Sequence, residues 1–344
     1  MINLPSLDSE DLSDKKVFLR YDCDVRVSAS GKIIDETRLI TGFSTLEYLL
    51  ENNCTVIIAG HLRRPEGWDE KFTLFPIAEW FAQQFSSEAK ETKLGEFKGW
   101  EIKDGLFLLE NLRFYKEEKE NSLEFARRLA GLGEIYVNEA FGSSHRAHAS
   151  IVVIPKILPH FAGFHFIKEV KVLESIISSP KRPLTIILGG AKMETKLPLV
   201  AKMHGIADHI LIGGKITDID RELIEKEKVK SEKAKIIIAE LTQEGRDIDS
   251  ASLKEFENII SRSGMIVWNG PMGYLEGGFE ESTLSIARAI IGSNAYRIAG
   301  GGDTVAFINK YGLFDKFDFV SMGGGSMLEF LSGKSLPGII ALQN

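Results

Sequence analysis

From Lys16 onward, apolar runs of strand length alternate with stretches of helical periodicity. This alternation is the mark of βαβ units that feed a parallel sheet. In the first half it predicts strands at 17–20, 55–59, 106–109 and 135–137, separated by helices over 36–50, 74–85 and 122–130. The second half repeats the theme with strands at 184–188, 209–212, 235–239, 265–268, 296–299 and 319–321. Residues 166–179 have helical spacing and stop at Pro180, so a long helix is expected to join the halves. The expected fold is α/β, with two doubly wound, Rossmann-like parallel-sheet domains at 1–165 and 166–325. The dense charge run 218–233 reads as a solvated helix face.

A length of 344 residues suits two domains, and 44% apolar with 26% charged residues is an ordinary globular composition. The net charge of −7 argues against nucleic acid as partner, because phosphate-backbone binders carry broad basic surfaces. No apolar run is long enough to span a bilayer, and the start of the chain lacks a basic segment followed by an apolar core. Cys23 and Cys54 have neither CxxC spacing nor the number for a disulfide framework, so a reducing cytoplasm is expected.

Ligands of parallel sheets bind beyond the carboxyl ends of the strands. After first-half strands come cations: Arg20; His61 with Arg63 and Arg64; Arg113; then His145, Arg146 and His148, with Arg38 near the start of a helix. A lone arginine reads as a surface ion pair, whereas arginines after successive strands converge on one crevice suited to a small polyanion. The histidines lack metal-ligand spacing and read as anion contacts or caps. Second-half strand ends carry glycines instead: Gly189-Gly190, Gly213-Gly214, Gly270 with Gly273, Gly300-Gly301-Gly302 and Gly323-Gly324-Gly325. In the stretch Tyr296 to Ala306, a strand enters a tight turn and then a helix whose first amides are unpaired. Those amides and the helix dipole suit phosphate, with Asp303 able to hold a nucleotide's Mg²⁺. Asp303 as a plain N-cap is the other reading. A Walker A loop fails because Leu328 stands where its first glycine belongs, and the Gly300 triplet lacks the third glycine of GxGxxG.

Taken in order, these residues resemble the phosphoglycerate kinase family. Arg20-Tyr21-Asp22-Cys23-Asp24-Val25 resembles its RxDFNV strand end, and Gly60-His61-Leu62-Arg63-Arg64-Pro65 its SHLGRP loop. Similar matches are Glu110-Asn111-Leu112-Arg113-Phe114, Asn138-Glu139-Ala140-Phe141-Gly142 through His148, Gly189-Gly190-Ala191-Lys192 with Lys196, and Trp268-Asn269-Gly270-Pro271-Met272-Gly273. The glycine triplet with Asp303-Thr304, and Gly323-Gly324-Gly325 leading to Gly333-Lys334-Ser335-Leu336-Pro337-Gly338, complete a series that covers nearly the whole chain.

The resemblance implies reversible phosphoryl transfer between 1,3-bisphosphoglycerate and Mg-ADP, giving 3-phosphoglycerate and ATP. It implies an acid-binding domain, a nucleotide-binding domain, and a segment 326–344 that returns to the first domain. Asp22, Asp24, Arg38, His61, Arg64, Arg113 and Arg146 would line the 3-phosphoglycerate site. Lys192 and Lys196 would hold nucleotide phosphates and the transferring group, beside Gly213 and Gly214, while Asn269 would contact phosphate and Glu276 the ribose. Asp303 would be the metal-side carboxylate, and the amides of Gly301, Gly302 and Thr304 the phosphate cradle. Arg38, Lys192, Gly301 and Gly324 would form the catalytic set, acting by cleft closure in a monomer. The acceptor is a carboxylate already ionised at neutral pH, so no general base is needed, and the work is positioning and charge stabilisation.

The chain departs from the family pattern at Asp24, usually asparagine, at Arg63, usually glycine, and at Thr195, usually an acid. After Gly214 it has Lys215-Ile216-Thr217 and a short charged segment, where family members continue with a third glycine and a longer stretch around the adenine. Two alternatives remain: a non-catalytic phospho-acid or nucleotide-binding scaffold derived from the family, and a kinase of another small phospho-acid.

Overall fold

The protein is described by a computed structural model covering residues 2–28, 30–191, 195–219 and 233–343. Lys192 and most of the charge run 218–233 lie outside the described residues. The chain divides into two compact units, Met1–Lys171 with Ser335–Asn344, and Val172–Lys334.

The strands of the first unit are β1 (Lys16–Arg20), a short pair β2 (Arg26–Val27) and β3 (Ile33–Asp35), β4 (Thr55–Ala59), β5 (Lys90–Leu94), β6 (Phe97–Lys103), β7 (Leu106–Leu109), β8 (Ile135–Asn138) and β9 (His160–Ala162). Seven of them form one sheet in the order β5-β6-β7-β4-β1-β8-β9. Strands β7, β4, β1, β8 and β9 run parallel, and β1, β4 and β8 are buried almost throughout, as in a sheet covered on both faces. Its β5-β6 edge is antiparallel, which the apolar pattern did not predict. Lys90-Glu91-Thr92-Lys93-Leu94 is polar because it is an edge strand. The turn between β6 and β7 is Asp104-Gly105 with Gly105 at φ +75°, a hairpin signal the apolar reading passed over.

The helix predicted over 36–50 is two helices, Thr37–Thr41 and Phe43–Glu51. Buried Tyr21 donates its hydroxyl to the Leu39 carbonyl at the break, and a Cβ on Gly42 would stand 2.7 Å from the Tyr21 ring.

The second unit holds a six-stranded, wholly parallel sheet built from β10 (Leu184–Leu188), β11 (His209–Ile212), β12 (Lys235–Ile238), β13 (Met265–Asn269), β14 (Tyr296–Gly300) and β15 (Phe319–Ser321). Their order is β12-β11-β10-β13-β14-β15. The strand order reverses at β1 in one sheet and at β10 in the other. Chain leaving a strand at such a switch point opens a crevice for ligand, so the tails of β1 and β10 are the places to look.

The helix Phe164–Ser178 contains the division between the units, and its first turn is capped by side chains remote in sequence. Phe164 N–H donates to Thr45 Oγ1 (2.9 Å), while His165 and Phe166 N–H donate to Glu139 Oε1 and Oε2 (3.0 and 3.1 Å). Thr45 also donates to Glu139 (2.9 Å), and the helix's own bonding starts with Ile167 N–H to the Gly163 carbonyl. Three donors that a helix leaves orphaned are thus met by a buried carboxylate and a hydroxyl. A Cβ on Gly163 would fall 1.9 Å from Glu139 Oε2, so only glycine admits the cap. The helix Pro337–Gln343 belongs to the first unit, where Gly338 N–H donates to the Ser144 carbonyl (2.9 Å).

Replacing Glu139 by Gln sets an amide against the amides it must accept from. The expected loss of unfolding free energy is about 2 kcal/mol, the scale of hydrogen bonds to a charged group. Urea denaturation followed by circular dichroism measures it, and a wild-type midpoint would mean that the cap contributes nothing.

Candidate functional site

In the first unit, residues just past β1, β4, β7 and β8 share one neighbourhood. Asp22 is buried and accepts Arg38 Nη1 at 3.0 Å, which raises the Arg38 pKa further. Asp24 accepts the Arg63 backbone N–H (2.9 Å), and its other oxygen is 3.8 Å from His61 Nε2. Two departures from the family pattern therefore meet, since Asp24 caps a loop residue that holds φ +59° where glycine is usual.

Arg113 is buried and donates to the Arg63 carbonyl (2.6 Å); burial, with Arg20 and Arg146 nearby, pushes its pKa down to about 10. His61 is held well below its ordinary value by burial and then by Arg113, Arg20 and Arg38. Burial, with Arg113, Arg20 and Arg146, takes His148 down to about 3. These mutual influences gather Arg20, Arg38, Arg113, Arg146, His61 and His148 into one cluster whose positive charge exceeds its local carboxylates. Both histidines stay neutral at pH 7, which keeps the excess on guanidinium groups. Arg64 is exposed on the loop that carries Arg63 and is not among the groups that shift this cluster's pKa values.

In the second unit the loops after β10, β11 and β13 pack backbone on backbone. A Cβ on Gly189 would lie 2.1 Å from the Pro271 carbonyl, on Gly214 2.7 Å from Gly190 N, and on Gly270 2.3 Å from the Gly189 carbonyl. Gly190 N–H donates to the Pro271 carbonyl (2.7 Å) and Ile216 N–H to the Gly190 carbonyl (3.1 Å). Among the described residues one charged side chain lies on this floor. The Lys196 ammonium is buried over it, donating to the Gly189 carbonyl, and burial pushes its pKa down to about 8 against the pull of Asp303.

Next to this floor, the helix Gly302–Lys310 has Gly301 as N-cap at φ +97° with no side-chain cap, and its first internal bond is Val305 N–H to the Gly301 carbonyl. The N-cap reading of Asp303 is thereby overturned, because Asp303 sits exposed inside the first turn. The Thr304 hydroxyl accepts Gly270 N–H (2.7 Å), tying this helix to the glycine floor. Asn269 is buried, and its Nδ2 has no hydrogen-bond partner among the described residues; a Cβ on Gly301 would lie 2.8 Å from it. A Cβ on Gly324, first residue of the helix Gly324–Leu331, would lie 2.9 Å from the Gly301 Cα. Two helix starts therefore converge through glycine-only contacts. Gly213 ends against Met272, while Glu276 is exposed on the short turn Leu275–Gly277 away from these contacts.

Such a set can bind polyanions at both switch points. Among the described residues no group of three His, Cys, Asp or Glu side chains could enclose a metal. A cation here would take one carboxylate, Asp303, and fill its shell from phosphate and water, as Mg²⁺ does with nucleotides. The orphaned Asn269 amide beside Gly301 fits a phosphate oxygen at the same place. Glu118 and Ser150, which underlie the cation cluster, were missed from sequence, because Lys116-Glu117-Glu118-Lys119 reads as solvated surface.

The sequence model of the phosphoglycerate kinase family matches residues 7–219 and 216–334. The two pieces meet where the chain departs from the family pattern after Gly214. The phosphoglycerate kinase of Aquifex aeolicus is 36% identical over 100% of this chain and 99% of that protein, and the one from Prochlorococcus marinus is 37% identical over 99% and 98%. The Aquifex alignment spans 396 positions against 344 residues here, so that relative carries residues this chain lacks. The solved phosphoglycerate kinase of Pyrococcus horikoshii superposes with a TM-score of 0.84 at 27% identity, covering 99% of this chain and 98% of that one. That of Coxiella burnetii gives 0.81 at 29%, covering 99% of each.

With a pKa of about 8 rather than 10.5, Lys196 is half neutral at pH 8 in the free protein. A bound polyphosphate favours the ammonium, so binding at that pH takes up a proton, and affinity is full below pH 8 and falls as pH rises past it. Calorimetric titration with ATP at pH 8 in buffers of different ionisation enthalpy is expected to show this uptake, and Lys196→Met to abolish it. Equal heats in all buffers would show that Lys196 is already fully charged.

Proposed function

The chain belongs to the phosphoglycerate kinase family and catalyses phosphoryl transfer between 1,3-bisphosphoglycerate and ADP, and on that premise we propose which of its residues do the work. The relatives are enzymes, so the binding-scaffold reading is not favoured.

The phosphoglycerate end goes to the first unit. Arg38, Arg113, Arg146 and His61, with Arg64 from the adjoining loop, meet its phosphate and carboxylate, and Asp22 and Asp24 its hydroxyl and the orientation of Arg38 and His61. The carrying observation is the cation cluster at the β1 switch point. It holds more guanidinium than carboxylate in a partly desolvated place, where a polyanion restores balance.

The nucleotide goes to the second unit. Lys196 and Lys192 meet its phosphates, Asn269 supplies its unpartnered amide, and the N–H groups of Gly301, Gly302 and Thr304 cradle phosphate at the helix start. Gly213 and Gly214 border the nucleotide, and Glu276 takes the ribose. Mg²⁺, held through Asp303, would neutralise charge between the terminal phosphates when bound.

The transferring group is an acyl phosphate in one direction and leaves a carboxylate, so no residue need remove a proton. Arg38, Lys192 and the amides at Gly301 and Gly324 stabilise charge on its equatorial oxygens by preorganised donors. Gly324 has to be glycine, since any Cβ would displace the Gly301 turn.

We place the protein in the cytoplasm as a monomer acting on small molecules, with no nucleic acid partner. Free, buried Cys23 and Cys54 support a reducing compartment, and among the described residues no helix is long and apolar enough to cross a membrane.

A coupled assay with 3-phosphoglycerate, ATP and Mg²⁺ tests the assignment. Arg38→Ala and Lys192→Ala are each expected to lower kcat by about a hundredfold, the scale of one preorganised transition-state donor. Near-normal turnover in either variant would remove that residue from the catalytic set.

A further inference from the structure

Beneath the cation cluster lies a chain of fully buried polar groups that the reaction does not use directly. Arg20 has no exposed surface. Its Nε donates to Ser150 Oγ (2.9 Å), its Nη1 to the Tyr21 carbonyl (2.6 Å), and its Nη2 meets His61 Nδ1 (3.1 Å). Ser150 gives its hydroxyl to Glu118 Oε1 (2.6 Å) and its N–H to Glu118 Oε2 (2.9 Å). Glu118 and Ser150 are likewise wholly buried.

The direction of these bonds is fixed by chemistry. A guanidinium only donates, so Ser150 Oγ accepts from Arg20 and its single proton is left for Glu118, which accepts twice. By the same rule His61 Nδ1 accepts from Arg20, and the proton of the neutral ring must stand on Nε2. That nitrogen is the one 3.8 Å from Asp24 Oδ2, on the side of the anion-site residues. One continuous order runs from the Glu118 carboxylate to the Nε2–H of His61.

We infer that Glu118 is a positioning residue: through Ser150 and Arg20 it fixes the ring and tautomer of His61, so that His61 offers a donor, never an acceptor, to an incoming acid. Glu118 also supplies a counter-charge for an arginine with no route to water. Burial pushes the Glu118 carboxyl up, opposed by Arg20 and by both Ser150 bonds. Removing either Glu118 or Ser150 loosens the Nε end of Arg20, which keeps its Nη1 bond to the Tyr21 carbonyl, and weakens the Nη2 contact that selects the His61 tautomer. The effect on catalysis rests on the assignment of His61 to the phosphoglycerate site; the effect on the tautomer does not.

The test is ¹⁵N NMR of histidine-labelled protein, with the His61 signal assigned by its loss in His61→Gln, together with steady-state kinetics. In the wild type, His61 is expected as the Nε2–H tautomer without titration between about pH 5 and 8, where an ordinary histidine titrates. In Ser150→Ala the signal is expected to shift toward a tautomer mixture, with KM for 3-phosphoglycerate raised about tenfold and KM for ATP unmoved, the scale of one hydrogen bond to a charged substrate. Ser150→Thr, which keeps the hydroxyl, is expected to restore both. Glu118→Gln is expected to act in the same direction; should it fail to fold, Ser150→Ala carries the test alone. A wild-type His61 tautomer in Ser150→Ala would overturn the inference. A shifted tautomer with unmoved KM would uphold the positioning role and remove His61 from the phosphoglycerate site.

Discussion

The constraint on which the first unit turns is positive charge held partly out of water. Burial, with the guanidinium groups of Arg20 and Arg146, depresses the pKa of Arg113, and burial with the cluster's arginines depresses those of His61 and His148, an expensive arrangement for an unliganded protein. Three carboxylates make it tenable: Asp22 pairs with Arg38, Asp24 stands beside His61 and acts on Arg113, and Glu118 answers Arg20 through Ser150. The remaining charge is left for a ligand. A small acid bearing a phosphate at one end and a carboxylate at the other is the species that such an excess selects, and bidentate guanidinium groups bind both ends.

The second unit solves the opposite problem. It gathers few charges and instead brings backbone close to backbone, with two helices starting at glycines beside the Asn269 amide, which only glycine allows. At Gly189, Gly214, Gly270, Gly301 and Gly324 a Cβ would strike backbone or the Asn269 amide. The glycines are therefore a packing requirement that leaves amide donors close to the surface a phosphate must reach. Lys196 adds a desolvated ammonium whose charge a phosphate would stabilise. The reaction asks for no proton transfer, and the protein accordingly supplies donors and cations in place of a base.

How far this was legible depends on which forces are local. Strands β1, β4 and β10 are continuous apolar runs because both faces of a parallel sheet are covered, and sequence located them within a residue. The cations and glycines just past them stood out for the same reason: a strand end is easy to find, and the residues beyond it face the ligand. The edge strand β5 was invisible because its exposed faces are polar, and the break at Gly42 because Tyr21, twenty-one residues earlier, causes it. Glu118 was hidden most completely. It lies in a four-residue run of mixed charge that looks like solvent-facing helix, and only the packing of Ser150 and Arg20 against it shows that it is buried. Of the departures from the family pattern, Asp24 and Arg63 explain each other once the Arg63 N–H is seen on the Asp24 carboxylate.

The central claim is that the guanidinium excess past β1, β4, β7 and β8 is what an incoming phospho-acid meets. His148 reports on it directly, because burial and the arginines beside it hold its pKa at about 3. The most direct measurement is an NMR pH titration of the His148 ring with and without saturating 3-phosphoglycerate and no nucleotide. Neutralisation of Arg113 and Arg146 by the bound anion is expected to raise that pKa by about one unit or more. An unchanged titration in the presence of bound 3-phosphoglycerate would contradict the account.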